Sequence, residues 1–370
     1  MKSLLFILTI TSLSVQLAAQ APLTVLPSGK NPKASVSEQV GLTNITIQYS
    51  RPAVRGREGK IWGSGPVHAG FADQGFGSSK AAPWRAGANE NTTITFSNDV
   101  VVEGQAVPAG TYGLFVAYEP NESTLILSRT STAWGSYYYD PKDDVLRAKV
   151  KPVKLNTAVE RLRFEFTDQN DSAATIGLAW ENLVIPFRVE THYINDQVAM
   201  FRIELRSQKG FHWTAWQQAA QWALQNNANL EEALLWADTA SGPVFGGNNV
   251  FMTHTTKAGI LRKLGRDAEA DAIMKASMAI AGMQDLHMYG RELISQKKAK
   301  EAMEVFQLNH RKNPNEFTTR VGLARGYSAV GDYKNALKYA QLALPQSPDP
   351  LNKDGVTKMI EKLKNSQDIN

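Results

Sequence analysis

The chain contains no cysteine. That excludes disulfide staples, thiol nucleophiles and thiolate metal ligands. At 370 residues it is long enough to bury its cores without staples, and a length of that order predicts two domains. Beyond the N-terminus no run approaches the roughly 18 consecutive apolar residues that a membrane helix needs. Charge of one sign is not concentrated either. Lys plus Arg number 40 against 35 Asp plus Glu, for a net charge of +5. The basic runs Lys149–Lys154 and Lys297–Lys300 are short and carry no interleaved aromatics. They read as solvated faces, not as a nucleic-acid arm. The six histidines form no i, i+3 or i, i+4 pair and no HExxH motif, and there is no GxSxG elbow or phosphate-binding glycine loop. No metal and no cofactor are expected.

What is present begins with a leader. Lys2 supplies a positive start, Leu4–Leu17 is apolar but interrupted by Ser and Thr, and Ala18, Ala19 and Ala21 are small. This pattern reads as a signal peptide over residues 1–21, cleaved after Ala19 or Ala21. With no Cys to follow it, a lipoprotein anchor is excluded, and the mature chain is expected to be exported.

Two periods divide the remainder. Residues 22–193 read as one β domain. Alternation is clear in Val36–Val40, in Thr43–Tyr49, in Thr92–Phe96 and Val100–Glu103, and again in Thr111–Tyr118 and Thr124–Ser128. Arg161–Thr167, Ala174–Trp180 and Leu183–Glu190 complete the set. Short strands broken by Gly, Pro and Asn every ten or so residues predict an antiparallel sandwich or a barrel-like closure.

Residues 194–370 read as helical. Asp196–Ser207 is compatible with strand or helix, and helix is favoured by Asn195 before it and Gly210 after it. From Trp213 onward, helical segments follow one another with short connections. Ala270, Ala302 and Ala336 follow the turns LGRDAEA, KKAKEA and GDYKNA, spaced 32 and 34 residues apart. Pro314 and Pro348 are also 34 apart. The stretch TTRVGLARGYSAVGDYKNALKYAQLALPQSPDP resembles the tetratricopeptide pattern, and about three and a half helical pairs cover residues 214–364. One pair cannot bury its apolar face alone, which is the physical reason for a run of them.

The stretch PWRAGANENTTITF (83–96) places Arg85, Asn89 and Glu90 just before a β-branched run. A guanidinium offers five donors in a fixed fork and a carboxylate accepts two of them. One reading is a buried clamp, Arg85 to Glu90, tied to Arg51 or Arg55. The other is an anion or carbohydrate-like site with Arg85 as clamp and Glu90 as acceptor or base. Trp62, Trp84, Trp134 and Tyr137–Tyr139 could stack on a sugar or peptide, or pack in the core. Three consecutive tyrosines on a strand cannot all face inward. Asp140, Asp143 and Asp144 in YDPKDD lack the order of a calcium loop, and a solvated turn is expected. Glu119 and Glu122 flank a hairpin turn and give no glycosidase pair.

The segments YSRPAVRGR (49–57), WRAGANENTTITF (84–96), PAGTYGLF (108–115), WGSYYYDPKDDVLR (134–147) and LAWENLVIPFRV (178–189) occur in that order. In them the chain resembles a secreted bacterial family, domain of unknown function 2911. The resemblance implies export in a Gram-negative bacterium, to the periplasm or beyond, and a β-rich fold that helical repeats sometimes follow. It implies no activity. Gly65–Pro83 is longer here than the family pattern, and a mobile surface loop near the WR motif is expected.

These readings give an exported, non-enzymatic binding or scaffold protein. Its β domain would take a small or extended ligand or an envelope partner, and its repeats a protein partner. The alternative is a periplasmic hydrolase of glycan or peptide, using Glu90 with Arg85 and His68. Asp171-Ser172-Ala173 and Asp238-Thr239-Ala240 match a short periplasmic O-glycosylation acceptor, the first lying in an expected turn.

Overall fold

The computed structural model describes residues 30–370, and the expected leader lies outside them. The chain divides into two compact units, the first ending at Tyr193 and the second running from Ile194 to Asn370.

The first unit opens with strands β1 (Lys33–Val40), β2 (Thr43–Ser50), β3 (Trp62–Gly63), β4 (Val67–His68), β5 (Thr93–Phe96) and β6 (Val100–Val102). It continues with β7 (Gln105–Val107), β8 (Gly110–Ala117), β9 (Ser123–Ser128), β10 (Asp144–Val150), β11 (Val153–Asn170) and β12 (Ala173–Thr191). Six form one sheet in the order β1-β2-β5-β8-β9-β10, and four form another in the order β11-β12-β6-β7. Every pairing within these two sheets is antiparallel. Alternation explains the layering. In β2 the buried Ile45, Ile47 and Tyr49 face one side, while Asn44 and Gln48 stay exposed. The core joins such faces with Leu114, Leu127, Leu178, Trp180 and Phe187. Its centre is aromatic. Trp84 stacks on Trp180 at 6.2 Å, and Trp62 meets Trp84 edge-on at 5.7 Å.

Residues 174–190, read as two strands, form a single one. The break at Glu181 is a bulge, where the register with β11 shifts and Glu181 takes a φ of 53°. Its carboxylate is buried and accepts the Gly59 N–H at 2.7 Å. The tyrosine run is a turn, not a strand. Tyr139 is buried, Tyr137 half-buried and Tyr138 exposed. The YDPKDD turn is not uniformly solvated either. The Asp144 side chain is 7 % exposed and accepts from Tyr139 Oη and Arg147 Nε, each at 2.6 Å.

The second unit consists of α1 (Tyr193–Glu204), α2 (Trp213–Asn226), α3 (Leu230–Ala240), α4 (Phe251–Lys263), α5 (Asp267–Ser277) and α6 (Met283–Ser295). It ends with α7 (Ala299–Lys312), α8 (Phe317–Ala329), α9 (Tyr333–Ala343) and α10 (Pro350–Lys364). After α1, successive helices pair as α2–α3, α4–α5, α6–α7 and α8–α9, and α10 closes on α9. That is four pairs and a closing helix, more than the repeat pattern alone suggested. The repeating alanines Ala270, Ala302 and Ala336 are fully buried, letting helix backbones approach. Before each of them the chain reverses through a left-handed residue: Gly265, Lys297 and Gly331, with φ of 75°, 62° and 82°.

The unit's largest fully buried side chain is Phe306 on α7. It sits in a socket of glycines. A Cβ on Gly290 of α6 would come within 2.5 Å of its ring, and on Gly322 or Gly326 of α8 within 2.7 and 2.9 Å. Glycine is therefore a packing requirement at all three positions. Among the described residues no helix is long and apolar enough to cross a membrane. Ser172 lies exposed in the turn between β11 and β12, and Thr239 lies within α3 with its hydroxyl donating to Leu235 O at 2.9 Å.

Candidate functional site

The segment from Trp84 to Asn91 crosses from the Trp84–Val116 bridge toward β5. Trp84 anchors it. Its backbone exchanges two hydrogen bonds with Val116, and its indole N–H donates to Gly87 O at 3.2 Å. At 4 % exposure it is core, not a stacking platform. Two left-handed residues follow, Ala86 with φ 51° and Asn89 with φ 59°. They turn the chain so that neighbours in sequence point to different places.

Arg85 and Glu90 therefore do not pair. Arg85 donates to the Asn89 carbonyl at 2.7 Å and lies over the Tyr137 ring at 5.1 Å. Its guanidinium occupies the space beside Gly135, whose φ is 68° and where a Cβ would fall 2.2 Å from Arg85 Cζ. Glu90 turns to the strands instead. Its Oε1 lies 2.9 Å from Lys33 Nζ on β1, and its Oε2 accepts from Ser50 Oγ on β2 at 3.4 Å. The Lys33 hydrogen bond holds the Glu90 carboxyl below its ordinary value.

Glu90 lines an open cleft of about 410 Å³ with Lys33, Ser35, Ser50, Asn91 and Thr93. Asn91 is 8 % exposed. Its amide donates to Thr130 O at 3.0 Å, while its buried Oδ1 has no hydrogen-bond partner among the described residues. A buried carbonyl without a donor is costly.

The other candidates disperse. Arg51 donates through Nε to Leu162 O at 2.9 Å. Arg55 donates to Lys30 O at 2.7 Å, and its backbone N–H goes to Glu160. Both fasten an edge of the sandwich and neither reaches Glu90. His68, on β4, keeps Nδ1 by the Ala69 carbonyl and is likewise not among the residues lining the cleft. Trp134 and Tyr138 are 58 % and 57 % exposed. Phe76 meets Tyr137 and Tyr138 edge-on at 5.4 and 6.2 Å. That contact comes from the long loop 65–83, which is tied back at several points. Ser79 N–H donates to Tyr137 O, Gln74 to Ser136 Oγ, and Ala72 pairs with Ala82.

Lys33 and Ser50, the partners of Glu90, escaped sequence reading because they are 57 and 40 residues away along the chain. Only the pairing of β1 with β2, which sets Lys33 opposite Ser50, brings them together. In the helical unit, sequence reading also passed over a second cluster. His287 and Arg291 of α6 and Arg325 of α8 line one hollow of about 480 Å³.

Among solved structures, the chain is similar to YrrB, a TPR protein with an unusual peptide-binding site. Identity is 18 %, with 46 % of this chain and 93 % of that one covered and a TM-score of 0.29. It is also similar to MamA (41-end) from Desulfovibrio magneticus RS-1, at 14 % identity over 46 % and 95 % of the two chains with a TM-score of 0.28. No curated protein matches the chain. Over residues 31–189, which hold the sandwich strands and the Glu90 cleft, the chain matches the family described as protein of unknown function (DUF2911).

Proposed function

We propose that this is an exported, non-enzymatic binding and scaffold protein with one recognition surface in each unit. The β unit takes a small or extended ligand in the Glu90 cleft, and the helical repeats hold a segment of a protein partner. The observation that carries the first half is the lining of the cleft. Glu90 is its one acid among the described residues, no histidine lines it, and Arg85 and His68 lie elsewhere. Hydrolysis of a glycan calls for a second carboxyl group placed to hand over a proton, and the only other titratable groups of the lining are Lys33, already paired with Glu90, and the buried Tyr49. A charged pair beside an unsatisfied carbonyl instead suits hydrogen-bonded recognition of a polar ligand.

The test is a thermal-shift screen of the mature protein against oligosaccharides and short peptides, repeated with Glu90→Gln and Asn91→Ala. A ligand that raises Tm in the wild type and not in the variants supports the reading. Turnover of any such ligand, abolished by Glu90→Gln, would replace it with the hydrolase. Export is checked by fractionation and N-terminal sequencing, with the mature chain starting at Gln20 or Pro22. Recovery of the full-length chain inside the cell would remove that part of the proposal.

The second half rests on the surface of the repeats. The first helices of successive pairs, α4, α6 and α8, together with α10, bear two hollows that share Arg291. Large apolar side chains stand exposed beside them, Met288 at 59 % and Leu351 at 81 %. Such a face suits an extended segment of another protein.

A further inference from the structure

We propose that the hollow between α6, α8 and α10 receives an extended acidic protein segment, with a carboxylate held between Arg291 and Arg325. This rests on the reading of the repeats as a protein-binding surface and adds the chemistry of the partner.

The first ground is charge. Arg291 and Arg325 line the hollow with His287, and no acidic residue lines it. Among the described residues neither arginine has a carboxylate within ion-pair distance. Asp368 acts on Arg325, yet its carboxylate accepts from Ser328 Oγ at 2.7 Å and from the Asn370 side chain at 2.8 Å. Asp285 and Glu292 of α6 line the neighbouring hollow instead. Arg325 Nε and His287 Nδ1 are buried with no hydrogen-bond partner among the described residues. Burial and the nearby Arg291 lower the Arg325 guanidinium from its ordinary value. Two guanidinium groups sharing a half-dry hollow repel each other, and an anion between them relieves that repulsion while supplying acceptors.

The second ground is that Arg325 already holds a stretch of irregular chain. Its Nη1 donates to the Ile369 carbonyl and to Asn370 Oδ1, each at 3.4 Å, and its own carbonyl accepts from Asn370 Nδ2 at 3.1 Å. The Ile369 N–H donates to Ser328 Oγ at 3.1 Å, and the Ile369 side chain is buried with Val321, Ala324 and Val356. α8 thus grips backbone with polar groups and takes an apolar side chain beside it. The hollow offers the same mixture to a second segment. Thr318 and Asn352 supply a hydroxyl and an amide, and Val321, Leu351 and Met359 supply apolar walls. A free phosphate would use the cations and leave those walls wet, so a peptide fits better.

The experiment is fluorescence anisotropy on the full chain with three labelled peptides of equal length, alternating Leu with Glu, with Gln or with Lys. The Glu peptide is expected to bind at least about tenfold more tightly than the Gln peptide, and to weaken as salt rises. Arg291→Gln, at an exposed position, should leave the helical circular dichroism intact and remove most of that preference. Arg325→Lys should remove part of it. Equal binding of the Glu and Gln peptides overturns the inference, as does tight Glu-peptide binding that Arg291→Gln leaves unchanged. Displacement of the Glu peptide by inorganic phosphate at similar concentration overturns it too, marking a site for small anions. Binding of only the Gln or Lys peptide removes the acidic partner and leaves the protein-binding reading standing. Binding of none removes both.

Discussion

The two units bury comparable tracts of chain with opposite materials. The sandwich fills the gap between its sheets with large side chains, including Trp180, Phe96 and Phe187, all essentially unexposed. Sheets pack about 10 Å apart, and only long or branched side chains from both faces span that distance. Much of the helical core is alanine and glycine, with Ala220, Ala237, Ala302 and Ala336 fully buried. Helix axes approach closely only where the contact residues are small. Removing atoms should therefore injure the first unit most, and adding atoms the second.

The largest expected effect tests the first half of that statement. Trp180→Ala should cost about 3–5 kcal/mol. Hydrogen exchange should show the loss in residues of the β unit, with protection in the repeats unchanged. Next comes a dependence on pH carried by a buried histidine of the helical unit. Burial and the neighbouring Arg325 and Arg291 lower the His287 pKa to about 4. An unfolded histidine titrates near 6.5, so between those values the unfolded chain holds a proton that the folded one lacks. Stability of the repeats should then fall as pH drops through that window, by at most about 3 kcal/mol. Denaturant titrations across the window should show the slope, and His287→Gln should flatten it.

Adding one carbon tests the second half of the comparison. Gly290→Ala should destabilise the repeats by about 1–3 kcal/mol despite alanine's better helix propensity, because the new Cβ meets the Phe306 ring. Phe306→Leu in the same chain should recover part of the loss, whereas a simple additive result would show that the socket is not the cause. The smallest effect belongs to Glu90→Gln. A partly exposed pair with Lys33 is worth under about 1 kcal/mol. The Glu90 pKa is lowered, so even that contribution is present at neutral pH and lost as pH falls through the folded value. A drop of several kcal/mol would make Glu90 a structural clamp after all.

The sequence revealed the repeats more fully than the site, and the reason is range. Helical periodicity and the small residues at turns are local, so the turns LGRDAEA, KKAKEA and GDYKNA were legible as the starts of α5, α7 and α9. The strand over Asp144–Val150 was obscured by its acidic start and basic end. Glu181 looked like the end of a strand because a bulge reverses the phase of alternation without ending the pairing. At the candidate site, Arg85 and Glu90 looked like partners because they are close in sequence. Left-handed backbone at Ala86 and Asn89 separates them, and nothing in the identity of Ala86 announces a φ of 51°.

The glycine socket has a consequence for how such an array grows. Phe306 belongs to one pair of helices, but two of the three glycines that admit it, Gly322 and Gly326, belong to the next. A tandem duplication of α6–α7 alone would set the first copy's phenylalanine against a second α6, which brings its own residues to that contact instead of the two α8 glycines. What has to be inherited together is therefore a contact that straddles two pairs, so each added pair needs small residues on the helix that receives the preceding phenylalanine.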